Sequence, residues 1–264
     1  MLPPEEDLAW TPPPPGSRLR GWLTLPFAAL AAFLIAGLAA LELLLLPGRF
    51  RRRRVAWIHF WGRTLFAMMG IRLEVHGREN LPEDVPLLLL FDHVGLVDMM
   101  VLACLWNERS TVVHKREFHR IPVLGFVMKR LDLVAIDRSN RAEAIRALER
   151  VAEIVRERRA WVWMAPEGTR SRDGRLGPFK MGPFHLAVAT HAPIVPVLLR
   201  GIEVVNPGGG LQVRSGTIRV DFLHPIPTDG YDQDHVRDLA DRVRRVFLRW
   251  LPDRCSDEGT AAAA

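Results

Sequence analysis

The segment 87–102, LLLLFDHVGLVDMMVL, is apolar except at Asp92, His93 and Asp98. An imidazole with a carboxylate five residues further on is a pair able to move protons. Neither regular element brings the two together. Five residues of α-helix turn through about 500°, and five of strand leave the side chains on opposite faces. A bend does so, with His93 in a loop after a strand and Asp98 in the first turn of the next helix. Gly95 supplies the backbone freedom for that turn. Asp98 also suits a helix N-terminus electrostatically. Placed there it can accept a hydrogen bond from the imidazole Nδ1, leaving Nε2 as a general base. Taken alone, such a pair is also what a helix cap beside an ordinary histidine looks like.

A second constellation lies in WVWMAPEGTRSRDG (161–174), where an apolar run opens directly onto Glu167, Gly168, Thr169 and Arg170. The guanidinium of Arg170 is a planar fork matched to phosphate oxygens, and Glu167 can hold the loop or a cation in place. Lys115 and Arg138, each at the end of a predicted strand, can add positive charge to the same edge. Separately, each of these is also readable as a surface ion pair or a solvated cation.

Other chemistries find no support. No serine lies in G-x-S-x-G, and Cys104 sits among apolar helical residues, so a covalent hydrolase lacks its nucleophile. There is no G-x4-G-K-[ST] loop for a nucleotide, no H-E-x-x-H and no C-x-x-C, so no metal or cofactor is expected. With only Cys104 and Cys255, a disulfide framework is not expected either.

The elements that must position these residues follow from periodicity. Short apolar runs at 71–76, 87–91, 111–114, 133–137, 161–165, 194–199 and 217–223 read as strands. Helical patterns fall at 97–107, 117–130, 140–159, 181–190 and 233–251. This alternation predicts an α/β domain over 71–251, a mixed, mainly parallel sheet flanked by helices. Function then belongs at the carboxyl ends of the strands. A Pro-rich leader (1–21) and a polar tail (252–264) read as flexible.

Residues 22–41 carry no charged side chain, and twenty helical residues span about 30 Å, the thickness of a hydrocarbon core. Glu42 stands near the end of this run, where a carboxylate can reach the interface. Arg49 and Arg51 to Arg54 follow, placing everything after residue 48 on the cytoplasmic side of a membrane. The stretch 55–70 is too mixed to span and reads either as an interfacial helix, with Trp57 and Trp61 at headgroup depth, or as a helix packed on the domain. The membrane portion is therefore 22–70, read either as a membrane helix or as a helical motif that only inserts. A net charge of +6 suits an anionic partner, and beside a membrane helix that partner is lipid rather than nucleic acid.

Four motifs in order carry a family resemblance: H-x4-D (93–98), IPVLG with IDR (121–125, 136–138), PEGTRSRDG (166–174) with PFKMG (178–182), and APIVPV (192–197). Together they resemble the glycerolipid acyltransferases, above all the 1-acylglycerol-3-phosphate (lysophosphatidate) acyltransferases, over roughly residues 50 to 225. The resemblance implies that His93 deprotonates a glycerol hydroxyl with Asp98 orienting it. It implies an acyl thioester on coenzyme A or acyl carrier protein as donor. The acceptor phosphate would be held by Glu167 to Arg170, with Arg138 assisting, and the 194–197 segment would line a substrate pocket. Two positions depart from the family pattern, Asp92 where it has Asn and Gly95 where it has Ser or Thr. An anion at Asp92 would favour protonated His93 unless its carboxylate points away or is engaged with backbone. These departures leave another lyso-lipid, such as a lyso-ornithine lipid or a lysophospholipid, as the alternative acceptor.

Overall fold

The computed structural model describes residues 10–92, 95, 97–131, 133–137, 140–168 and 176–251. Seven strands, β1 (Ile71–His76), β2 (Leu87–Phe91), β3 (Ser110–Lys115), β4 (Val134–Ile136), β5 (Trp161–Met164), β6 (Ile194–Arg200) and β7 (Gly216–Phe222), form one sheet in the order β1-β7-β6-β2-β5-β3-β4. All pairings are parallel except β6 with β7. Each strand falls within a residue of the position its apolar run predicts.

The two faces of β2 explain why LLLLF shows no alternation. Leu88 and Leu90 join a core with helices α5 (Arg141–Arg158), α6 (Gly182–Thr190) and α7 (Val236–Trp250), while Leu87, Leu89 and Phe91 join a core on the opposite face. A central strand covered on both sides buries every side chain. The second face is covered by α3 (Asp98–Leu105) and α2 (Pro47–Met69), with α1 (Arg18–Leu45) outside them.

Predicted helix 117–130 is broken into a 3₁₀ turn (Arg116–Arg120) and a short α4 (Leu124–Met128). Pro122 accounts for the break, because the residue before a proline is driven out of the helical region; Ile121 is extended, at φ −71 and ψ 119. Helix α2 absorbs both the arginine run and the 55–70 stretch. Its Leu65, Phe66 and Met69 are buried in the core of the domain, so this stretch is packed on the domain.

Among the described residues one helix, α1, is long and apolar enough to cross a membrane by length and composition. It has two unlike faces. Gly21, Ala28, Ile35, Ala36 and Ala39 are buried against protein, whereas Leu23, Phe27, Leu30, Leu34, Leu38 and Leu41 are each at least half exposed. Ahead of it, Gly16 donates its N–H to Ser215 O at 2.9 Å, so residues of the leader lie against the domain. Glu42 does not point outward. One carboxylate oxygen meets Arg49 Nε at 2.8 Å and Arg53 Nη1 at 3.3 Å, and the other accepts from Trp57 Nε1. This knot closes the α1–α2 hairpin. Replacing Glu42 by Ala should lower unfolding stability in detergent by about 1–2 kcal/mol, because the part-buried Trp57 N–H loses its acceptor and the two half-exposed arginines lose their ion pair. Arg52→Ala on the exposed flank should change it by under about 0.5 kcal/mol; chemical denaturation of both variants measures the difference.

Candidate active site

Strands β2, β5, β3 and β4 lie side by side, all parallel, so their carboxyl ends share one edge of the sheet. Asp92 follows β2, Glu167 and Gly168 follow β5 by three and four residues, Lys115 ends β3, and Asp137 follows β4. The expected edge is thus the one the topology builds. His93, Arg138, Thr169 and Arg170 lie outside the described residues, and the geometry below is that of the residues flanking them.

Asp92 is 1% exposed, and its Oδ1 accepts the N–H of Leu199 on β6 at 2.8 Å. That bond lies just past the last paired residues of the two strands, Phe91 and Val197. Its carboxylate therefore extends the ladder through a side chain, engaged with backbone as one of the two possibilities above requires. Asp98 is fully buried and opens α3. The N–H of Gly95 is shared between its two oxygens, at 3.1 Å to Oδ2 and 3.2 Å to Oδ1. An acid in the first turn of a helix also meets the positive end of the helix dipole. The carboxylate thus ties the loop after β2 to the start of α3.

The second constellation is held the same way. Glu167, 6% exposed, accepts the N–H of Gly177 at 2.8 Å through Oε2, which ties the chain at 167 to the chain at 177. Gly168 has φ 72, a left-handed conformation that favours glycine. Lys115 is half exposed and pairs through Nζ with Glu117 at 3.1 Å.

Two features of this edge escaped the sequence reading. Lys180 of PFKMG packs over the glycine: its N–H donates to Pro166 O at 2.7 Å, and a Cβ on Gly168 would lie 3.3 Å from its Cγ. Its position in the resembling motif was the available signal. His114 and His119 face each other with ring centres 4.8 Å apart, and burial holds both below the ordinary imidazole range, so both are neutral near pH 7. No spacing rule marks that pair. Cys104 is pushed up to about 11 by burial, with Arg63 opposing, which leaves it a protonated thiol and a poor nucleophile.

Beside the edge lies an almost wholly apolar cavity of about 360 Å³ between α1, α2, α3 and α4. Met99 and Met100, the two residues after Asp98, line it, and it continues past Leu65, Trp61 and Trp57 of α2 to Ala39 of α1. Leu25 to Ala39 of α1, both in its wall, are separated by about 21 Å of helix, on the order of a long acyl chain. Trp57 and Trp61 thus face a cavity in the protein. The 194–197 segment does not line it: Ile194, Val195 and Val197 are sheet core with no exposure.

The model of the family described as Acyltransferase matches residues 72–200. A 1-acyl-sn-glycerol-3-phosphate acyltransferase of Limnanthes douglasii is 34% identical, covering 86% of this chain and 81% of its own. The human 1-acyl-sn-glycerol-3-phosphate acyltransferase alpha is 33% identical over 69% of this chain and 64% of its own. Among solved structures, the 1-acyl-sn-glycerophosphate acyltransferase of Thermotoga maritima superposes with a TM-score of 0.73 at 22% identity, covering 89% of this chain and 96% of that one, which establishes a shared fold.

Gly168→Ala should cost about 1–2 kcal/mol of stability through its left-handed backbone, with further crowding against Lys180. Thermal unfolding of the variant beside wild type measures this.

Proposed function

The chain belongs to the acyltransferase family, and on that premise we propose that it transfers an acyl group from an acyl thioester, acyl-CoA or acyl-ACP, to the free hydroxyl of lysophosphatidate, forming phosphatidate. The observation that carries this reading is the continuity between the Asp98 turn and the apolar cavity. Met99 and Met100 leave the buried carboxylate and enter the cavity wall, so an acyl chain lying there would present its thioester beside the H-x4-D segment. Relatives named for 1-acyl-sn-glycerol-3-phosphate supply the acceptor.

In this mechanism Nε2 of His93 takes the proton of the glycerol hydroxyl, Asp98 holding the ring by its other nitrogen. The hydroxyl oxygen attacks the thioester carbonyl, forming the new C–O bond and an oxyanion. Collapse of that intermediate breaks the C–S bond, and the leaving thiolate recovers the proton from His93. A thioester is already activated, so no covalent enzyme intermediate is needed, which agrees with a Cys104 thiol that stays protonated. Arg170, Arg138 and Lys115 neutralise the acceptor phosphate, and Glu167, bonded to Gly177, ties the two ends of the segment that carries Arg170.

A lipid acceptor also gives α1 a purpose. Its outer face presents leucines to hydrocarbon while its inner face packs on the domain, so we read α1 as inserting alongside the catalytic domain rather than leaving it. The arginines of α2 keep that domain on the cytoplasmic side.

Membranes containing the protein, given radiolabelled acyl thioester and lysophosphatidate, should yield labelled phosphatidate. His93→Ala should lower the rate by about 10²–10⁴-fold. Arg170→Ala should act chiefly through a raised acceptor KM. Full activity in His93→Ala would remove the general base from the mechanism, and transfer only to a phosphate-free lyso-lipid would change the acceptor.

A further inference from the structure

The apolar cavity is open on one side. Its wall there includes Phe33 of α1, 49% exposed, and Leu211, 63% exposed. Leu211 stands on the loop NPGGGLQVRS (206–215), which the chemistry above does not use. This loop is held from behind. Asn206 is fully buried, and its Nδ2 donates to Gly210 O and to Gln212 O, both at 2.8 Å, which brackets Leu211 and pushes its side chain outward. A Cβ built on Gly208 or Gly210 meets nothing within 4 Å, so the tip stands clear of the domain. A leucine fixed in this way is costly in water and suited to hydrocarbon.

Its neighbours carry the matching charge. Helix α1 crosses the returning limb of the loop so closely that a Cβ on Gly21 would lie 1.9 Å from Val213 O. At the crossing a Cβ on Gly21 would lie 3.7 Å from Arg214 Cα, and one on Gly70 would lie 3.0 Å from Ser215 Cβ and 3.7 Å from Nη2 of the exposed Arg20. The Arg214 Nε is buried with no hydrogen-bond partner among the described residues. Apolar side chains facing outward with arginines set back beside them match a bilayer, where anionic phosphate lies above hydrocarbon. Phe33 of α1 shares the cavity wall with Leu211, and Leu30 and Leu34 on the same helix are exposed as well.

We propose that the 206–215 loop is a second membrane-inserting element, placing Leu211 in the hydrocarbon of an anionic bilayer beside α1 at the cavity opening, with Arg20 and Arg214 at phosphate depth. A lyso-lipid then passes from bilayer to cavity without its chain crossing water. That last role rests on the function proposed above; the insertion itself does not.

The test uses the full chain with Leu211→Cys and Cys255→Ser, labelled with an environment-sensitive fluorophore and reconstituted into phosphatidylglycerol-containing vesicles. Cys104 is poorly reactive with its thiol pushed up to about 11. Ile145→Cys, on the outer face of α5 and 48% exposed, is the control. The label at 211 should be quenched by lipids brominated on their acyl chains at least about threefold more than the label at 145, and should be shielded from aqueous iodide. Equal iodide quenching at the two positions would overturn the proposal. So would a shielded label at 211 in lipid-free detergent that brominated lipid fails to quench, since a second protein copy would then be covering Leu211. Neither readout needs turnover, so a failure of insertion stays distinct from a failure of the acyltransferase reading.

Discussion

A carboxylate removed from solvent must be met by donors or it gives up its charge. Asp98 has no exposure, and the N–H of Gly95 spans both its oxygens. Much of the candidate site depends on that bond. It decides where α3 begins and therefore sends Met99 and Met100 into the cavity wall. It also fixes Gly95, while the Asp92 bond to Leu199 fixes the chain on the other side of His93 and Val94. Two buried carboxylates thus clamp both ends of the two-residue stretch that carries the candidate base. Glu167 repeats the device at the end of β5, anchoring its loop through Gly177. Polar chemistry at the rim of an apolar sheet is held in place by acids spent on backbone amides.

The cavity sets the second requirement, a wall that is apolar and thin. Ala28, Ala29, Ala32, Ala36 and Ala39 of α1 line it, and small side chains let that helix pass close to the domain while leaving space between them. Leu25, Phe33 and Ile35 share that wall, while Leu23, Phe27, Leu30, Leu34, Leu38 and Leu41 stand exposed, so one helix serves as cavity wall and as lipid-facing surface. Glu42 holds its far end to α2 and the Gly21–Val213 crossing holds its near end to the domain, which keeps the cavity from opening along its length.

The strands were legible because β-branched and leucine-rich runs bounded by Gly, Pro and charge have few other uses, and because strand ends in a parallel sheet must share an edge. Asp98 at the start of a helix was legible from geometry alone, since no regular element could bring it back toward His93. The engagement of Asp92 was open in the sequence, because Leu199 is 107 residues away. The cavity was not legible, since it lies between helices distant in sequence and its alanines read as ordinary membrane-helix residues. Trp57 and Trp61 were equally ambiguous, headgroup anchors and cavity walls having the same composition. The single helix expected over 117–130 failed for a local reason: helical spacing continues through IPVLG, but Pro122 forbids the residue before it from joining.

The claim that a buried Asp98 orients a histidine base is tested most directly by the pH dependence of kcat/KM for the acceptor in wild type and Asp98→Asn. An amide of the same shape keeps the acceptor oxygen for Gly95 but loses the charge that favours the imidazolium formed in the transition state. The account predicts a fall of about 10²–10⁴-fold with an altered acid limb, while unfolding stability changes far less. A variant with the wild-type rate and a superimposable pH profile would contradict it.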